Sequence, residues 1–181
     1  HVRRIAVDAE PGERAPIACV QLQPPRELAP HSSLSYMFDR IRTGPWCTDH
    51  GTFVDADYAI DDSGAWDRLE QLAAAGDPVL VLATSFALAM LIDAARAGGR
   101  APIDLPPTSR VVDTGGYKGR TRELIRPELL ARVETWLGVP EPWCENEYGM
   151  SELSSQAWLG SIADACGRPL PGVDGADERR W

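Results

Sequence analysis

Residues 78–97, PVLVLATSFALAMLIDAARA, decide the fold. The first six, Pro78 to Ala83, are an unbroken apolar run of strand length, of the kind found in strands buried on both faces. Thr84 and Ser85 follow directly, and residues 86–97 are apolar nearly all round, which predicts a helix buried on most of its sides. Downstream, a loop with three prolines leads to SRVVDTGG (109–116), a second strand running into a turn. Pro127 suits the first turn of a helix, PELLARVETWLG, that stops at Gly138 and feeds the strand-like PWCENEYG (142–149). The order over 78–149 is strand, helix, strand, helix, strand. Helices between short buried strands imply crossover connections and a parallel sheet.

The upstream half fits the same architecture. Residues 2–7 and 15–22 (APIACVQL) are predicted strands joined by a turn at Pro11-Gly12. SSLSYMFDRIR (32–42) predicts a helix capped by Ser32 or Ser33, with Leu34, Met37, Phe38 and Ile41 on one face and Gly44-Pro45 at its end. The region 46–62 reads as irregular or short-stranded. Ser63 is the expected cap of a further helix, GAWDRLEQLAAAG, with Trp66, Leu69, Leu72 and Ala73 as its apolar stripe and Gly76 as its stop. The fold class is therefore α/β, a mainly parallel sheet flanked by helices.

Composition bounds the function. A chain of 181 residues with 44% hydrophobic content can bury one sizeable core. Its net charge of −9 leaves no basic excess for neutralising phosphates, so no nucleic-acid partner is expected. The longest apolar segment is broken by Thr84, Ser85 and Asp93, so no membrane span is expected either. Cys19, Cys47, Cys144 and Cys166 form no C-x-x-C and have no histidine at metal spacing, which favours a reduced, cytoplasmic setting over a structural zinc. The first residue is His1, and HVRRIAVDA reads as a strand entered mid-domain. The Gly/Pro-rich, charged end RPLPGVDGADERRW does not finish a fold. Both ends lead us to expect a piece of a larger protein.

Three segments stand at the predicted carboxyl ends of the strands: Thr84-Ser85, TGGYKG (114–119) and NEYGMSE (146–152). Ligands of open α/β sheets bind beyond those ends, so neighbouring parallel strands would gather all three in one crevice. In TGGYKG the paired glycines Gly115 and Gly116 permit close backbone approach to a ligand, although the Walker A pattern is not satisfied. A plain strand-to-helix turn explains the same residues. In NEYGMSE, Tyr148 can lie against a flat base and Gly149 permits a tight turn. The Ser151 hydroxyl can donate to a phosphate, and Glu152 is a hard oxygen ligand suited to magnesium. A helix N-terminus capped by Ser151, with Glu147 or Glu152 on a solvated face, explains these residues equally well. Ser151 lacks the G-x-S-x-G elbow of a hydrolase nucleophile. Cys144, inside a predicted strand, reads as a small core residue rather than a nucleophile.

Tyr148-Gly149-Met150-Ser151-Glu152 resembles the Y-G-x-[ST]-E signature of adenylate-forming enzymes. TGGYKGR at 114–120, followed about thirty residues later by NEYGMSELSSQ, is similar to the acyl-protein synthetase (LuxE-type) branch, whose nearer cousins are the phenylacetate–CoA ligases. PVLVLATSFALAMLI is similar to that branch's preceding strand and helix, and the likeness runs over roughly residues 15–156. We therefore divide the chain into 1–156, part of the large domain of an adenylate-forming enzyme, and a poorly matched tail, 157–181.

The resemblance implies ATP-dependent activation of a fatty acid or other carboxylic acid as an acyl-adenylate, with Mg²⁺. The acyl group then passes to a thiol, in that family a protein cysteine linked to a fatty acid reductase. By position, Tyr148 would flank the adenine, Asn146 and Glu147 would border its edge, and Gly149 and Met150 would complete the nucleotide contacts. Ser151 would touch the α-phosphate, Glu152 would hold Mg²⁺, and Gly115 and Gly116 would shape the wall between nucleotide and acyl chain. This sequence departs from the family in lacking the Ser/Thr/Gly-rich phosphate loop, a convincing ribose-binding aspartate and the C-terminal domain with its catalytic lysine. The chain on its own is accordingly expected to be silent in ATP–pyrophosphate exchange. Two alternatives remain beside this reading: an acyl-CoA ligase of the phenylacetate–CoA ligase type, and a non-catalytic remnant that keeps nucleotide binding.

Overall fold

A computed structural model describes residues 16–115, 125–150 and 155–158, with the backbone alone for Gly149, Met150 and 155–158. The predicted strand at 2–7, most of the turn after Gly115 and the tail beyond Trp158 lie outside the described residues. In chain order the elements are β1 (Ile17–Leu22), α1 (Ser33–Arg42), β2 (Cys47–Thr52), α2 (Asp62–Ala75), β3 (Val79–Thr84) and α3 (Ser85–Ala97). They continue with β4 (Arg110–Thr114), α4 (Arg126–Leu137), a single 3₁₀ turn (Glu141–Trp143), β5 (Cys144–Met150) and β6 (Ser155–Trp158).

The sheet order is β2-β1-β3-β4-β5-β6. The first five strands are mutually parallel and β6 returns antiparallel along β5, pairing Glu147 with Trp158 and Tyr148 with Ala157. The fold is thus the expected α/β class. β6 crosses residue 156, so the sheet continues two residues into the segment read from sequence as tail.

Strand alternation sorts the core into two layers. Val20, Val79, Val81, Val111 and Cys144 face α2, α3 and α4, whose Trp66, Leu69, Leu88, Leu91, Leu129 and Val133 cover them. Ile17, Cys19, Leu80, Leu82 and Val112 face the other way, onto Met37, Phe38 and Ile41 of α1. β3 serves both layers, which is why its sequence is continuously apolar. Trp66 meets Trp136 edge-on, with ring centroids 6.1 Å apart, and ties α2 to α4. Among the described residues no helix is long and apolar enough to cross a membrane.

Local chemistry sets most of the boundaries. The Ser32 side chain caps α1 by accepting from Ser35 N, as predicted. Gly76 and Gly138 end α2 and α4 in left-handed conformation, at φ 77° and 67°. One cap differs from expectation. Asp61, not Ser63, begins α2, because the Asp61 carboxylate reaches Gly64 N at 2.9 Å and draws the helix start two residues earlier. The strand-like stretch read at 142–149 is β5, which begins at Cys144 and runs one residue further, to Met150.

Candidate functional site

The sheet order makes β3, β4 and β5 neighbours, so the ends that carry Thr84-Ser85, Thr114-Gly115 and Asn146-Glu147-Tyr148 lie side by side. The register is direct: Thr84 sits opposite Thr114, Asp113 opposite Asn146, and Thr114 opposite Glu147. The described parts of the three segments expected from sequence to share a crevice are therefore neighbours in the sheet. Gly116, Ser151 and Glu152 lie outside them.

The hub of this corner is Asp113, a residue with no predicted role. It is 2% exposed at the end of β4. Ser85 Oγ donates to Asp113 Oδ2 at 2.7 Å and lies 2.8 Å from the Gly115 carbonyl oxygen, so its one proton is shared within the turn. Arg126, the first residue of α4, binds both carboxylate oxygens through Nη1, at 2.9 and 3.2 Å. Asn146 Nδ2 donates to Asp113 Oδ2 at 3.0 Å and to the Asp113 carbonyl oxygen at 3.2 Å. A buried carboxylate is tolerable only with such partners. Here they join the starts of two helices and the ends of two strands to one side chain.

On the opposite face of the same strands, Thr114 Oγ1 donates to Glu147 Oε2 at 2.6 Å. Glu147 is 3% exposed, which rules out the solvated helix face that the sequence left open for it. Tyr148 is 61% exposed and shares its strand face with Asn146, two residues earlier. Gly115 adopts φ 75°, and a Cβ placed there would meet nothing within 4 Å among the described residues. An accessible aromatic ring, a half-buried amide and the Gly115 backbone therefore border one corner of the sheet. Such a corner suits a flat polar ring, with Tyr148 for its face and Asn146 for its edge.

Two nucleophile readings fail on geometry. Ser85 follows a strand and opens a helix, as an elbow serine does, but among the described residues the only non-glycine positive φ angles are at Tyr58 and Thr108. Ser85 lacks the strained backbone of an elbow, is 5% exposed and is bound to Asp113. Cys144 is 1% exposed; burial, reinforced by the nearby Asp113 charge and opposed by Arg126, pushes its thiol up to about 12. It is a core residue. Among the described residues no group of three His, Cys, Asp or Glu side chains could hold a metal ion. The one position assigned to Mg²⁺ from sequence, Glu152, is outside them. Cys19, Cys47 and Cys144 are free thiols.

Asp113, Thr114, Ser85 and Arg126 went without roles in the sequence reading. The available signal was a lone acid closing the apolar run RVVD just before the glycines. Its partners depend on strand register, which no local pattern reveals. Searched against protein-family models and curated proteins, the chain matches none.

Proposed function

We propose that the chain forms the nucleotide-binding part of an ATP-dependent carboxylate-activating enzyme of the adenylate-forming kind. The observation that carries the proposal is the meeting of Gly115, just past the end of β4, with Asn146 and Tyr148 on the adjacent parallel strand β5. Tyr148 offers its ring to the adenine and Asn146 its amide to the base edge. Gly115, bare of a side chain, lets the ligand pass close to the backbone. The Asp113 cluster holds the Asn146 amide and, through Ser85, the Gly115 carbonyl, so these two need little ordering by the ligand.

In the reaction the carboxylate oxygen of a fatty acid attacks the α-phosphorus of ATP. The bond from that phosphorus to the bridging oxygen breaks, and pyrophosphate leaves. A thiol then attacks the acyl carbon, loses its proton and releases AMP. Mg²⁺, which the resemblance assigns to Glu152, would supply positive charge to the phosphate oxygens. The acceptor proposed from the resemblance is a protein cysteine linked to a fatty acid reductase, in the cytoplasm.

Calorimetric titration with a non-hydrolysable acyl-sulfamoyl adenosine carrying a fatty chain tests the proposal. Saturable one-to-one binding, tighter than that of AMP, supports it. A folded chain that binds neither ligand contradicts it.

A further inference from the structure

We propose that Asp113 is a positioning residue that sets base selectivity: by holding the Asn146 amide nitrogen it turns the Asn146 carbonyl outward as a fixed acceptor, which favours a 6-amino purine over a 6-oxo purine. The inference rests on the nucleotide reading above and goes beyond it in naming what fixes the preference.

An asparagine side chain presents two N–H donors on one side and an acceptor oxygen on the other, and nothing in the residue itself decides which way it faces. At Asn146 the surroundings decide. The two nearby atoms, Asp113 Oδ2 at 3.0 Å and the Asp113 carbonyl oxygen at 3.2 Å, are both acceptors. The nitrogen must face them, because Oδ1 in its place would meet two oxygens.

Asp113 cannot turn away to relieve the choice. Arg126 holds both of its oxygens and Ser85 holds one, and the residue is buried. Asn146 Oδ1 is therefore left on the side away from Asp113. Asn146 is half-buried and shares its strand face with the exposed Tyr148. A base lying on Tyr148 brings its edge within reach of that oxygen. The amino group of adenine donates to it. Hypoxanthine and guanine carry a carbonyl oxygen at the same ring position, so two acceptors would face each other.

The test compares AMP with IMP on the full chain by calorimetry, in the wild type and in Asp113→Asn. The wild type is expected to prefer AMP by about tenfold, the effect of one hydrogen bond replaced by an acceptor clash. In Asp113→Asn, Arg126 keeps its bond to the remaining oxygen, and the new NH₂ faces Asn146 as a donor. The Asn146 amide then loses its fixed sense, and the preference should shrink several-fold or reverse. A merely structural role would weaken both nucleotides alike and leave their ratio unchanged; that result overturns the inference. Equal wild-type affinity for AMP and IMP overturns it as well.

A second measurement needs neither nucleotide nor variant. The Asn146 side-chain NH₂ should exchange slowly in heteronuclear NMR of the wild type, and rapid exchange would sink the claim that Asp113 pins it. Slow exchange without binding of either nucleotide would overturn the nucleotide reading, and the selectivity role with it, while leaving the pinned amide as a structural fact.

Discussion

Thr114 and Glu147 stand opposite each other in register across β4 and β5, and the Thr114 hydroxyl donates to the buried Glu147 carboxylate at 2.6 Å. This bond and the Asp113–Asn146 bond lie on opposite faces of the same strand pair. Together they lock the two strand ends that frame the candidate site. Thr114→Val keeps the shape but removes the donor and leaves a carboxylate buried. It should cost about 1–3 kcal/mol in urea unfolding, with the denaturant slope unchanged. The double change Thr114→Val with Glu147→Leu should recover part of that loss, since neither partner is then left unpaired. A neutral single variant would show that the bond contributes nothing.

Tyr148 presents 61% of its surface to solvent, so removing its ring should hardly affect folding. Tyr148→Ala is expected to leave the unfolding midpoint nearly unchanged and to weaken acyl-sulfamoyl adenosine binding by about tenfold, the lower range of base-on-aromatic stacking energies. Unchanged affinity would remove Tyr148 from the site.

The fold was legible where one local signal sufficed. The run Val79 to Ala83, the cap at Ser32 and the stops at Gly76 and Gly138 each appear where their own chemistry placed them. What escaped depends on partners distant in sequence. Polar Cys47–Thr52, in a region the sequence left open between irregular and short-stranded, is a strand because it lies half-exposed at the sheet edge beside β1. The strand-like stretch ending at Gly149 was legible, but its antiparallel partner β6, in the segment around residue 156, was not. Asp113 is the clearest case. Its partners Ser85, Arg126 and Asn146 are 28, 13 and 33 residues away, and only the strand order makes them neighbours.

Cys144 gives a stability test at alkaline pH. Its folded thiol is pushed up to about 12, above the ordinary 9.0, so the folded chain resists losing that proton while the unfolded chain does not. The contribution is complete below about pH 9 and declines above it by up to about 1.4 kcal/mol per pH unit. Cys144→Val should be less sensitive to alkali than the wild type in urea midpoints compared between about pH 7 and pH 10. Native Cys144 should also resist iodoacetamide until the protein unfolds. Equal alkaline loss in both proteins would show that the thiol has no part in it.

Asp49 gives the opposite sign at acid pH. Burial works against its charge, but the Arg42 hydrogen bond and the Gly51 amide outweigh it and hold the carboxyl below its ordinary 3.8. The ion pair with Arg42 links edge strand β2 to α1. Its contribution is present above about pH 4 and is lost as pH falls through the lowered folded value. Asp49→Asn should therefore be less stable than the wild type at neutral pH, with the gap closing in acid. A gap that persists unchanged in acid would assign the loss to something other than charge.

The central claim is that a nucleotide binds at the end of β4, beside Asn146 and Tyr148 of β5. The most direct measurement is heteronuclear NMR of the labelled chain during titration with AMP. The account predicts saturable shifts concentrated at Gly115, Asn146 and Tyr148, with Asp113 and Arg126 following. Saturable shifts centred at the end of β1, around Gln21 and Gln23, would contradict it, as would a spectrum that AMP leaves unchanged.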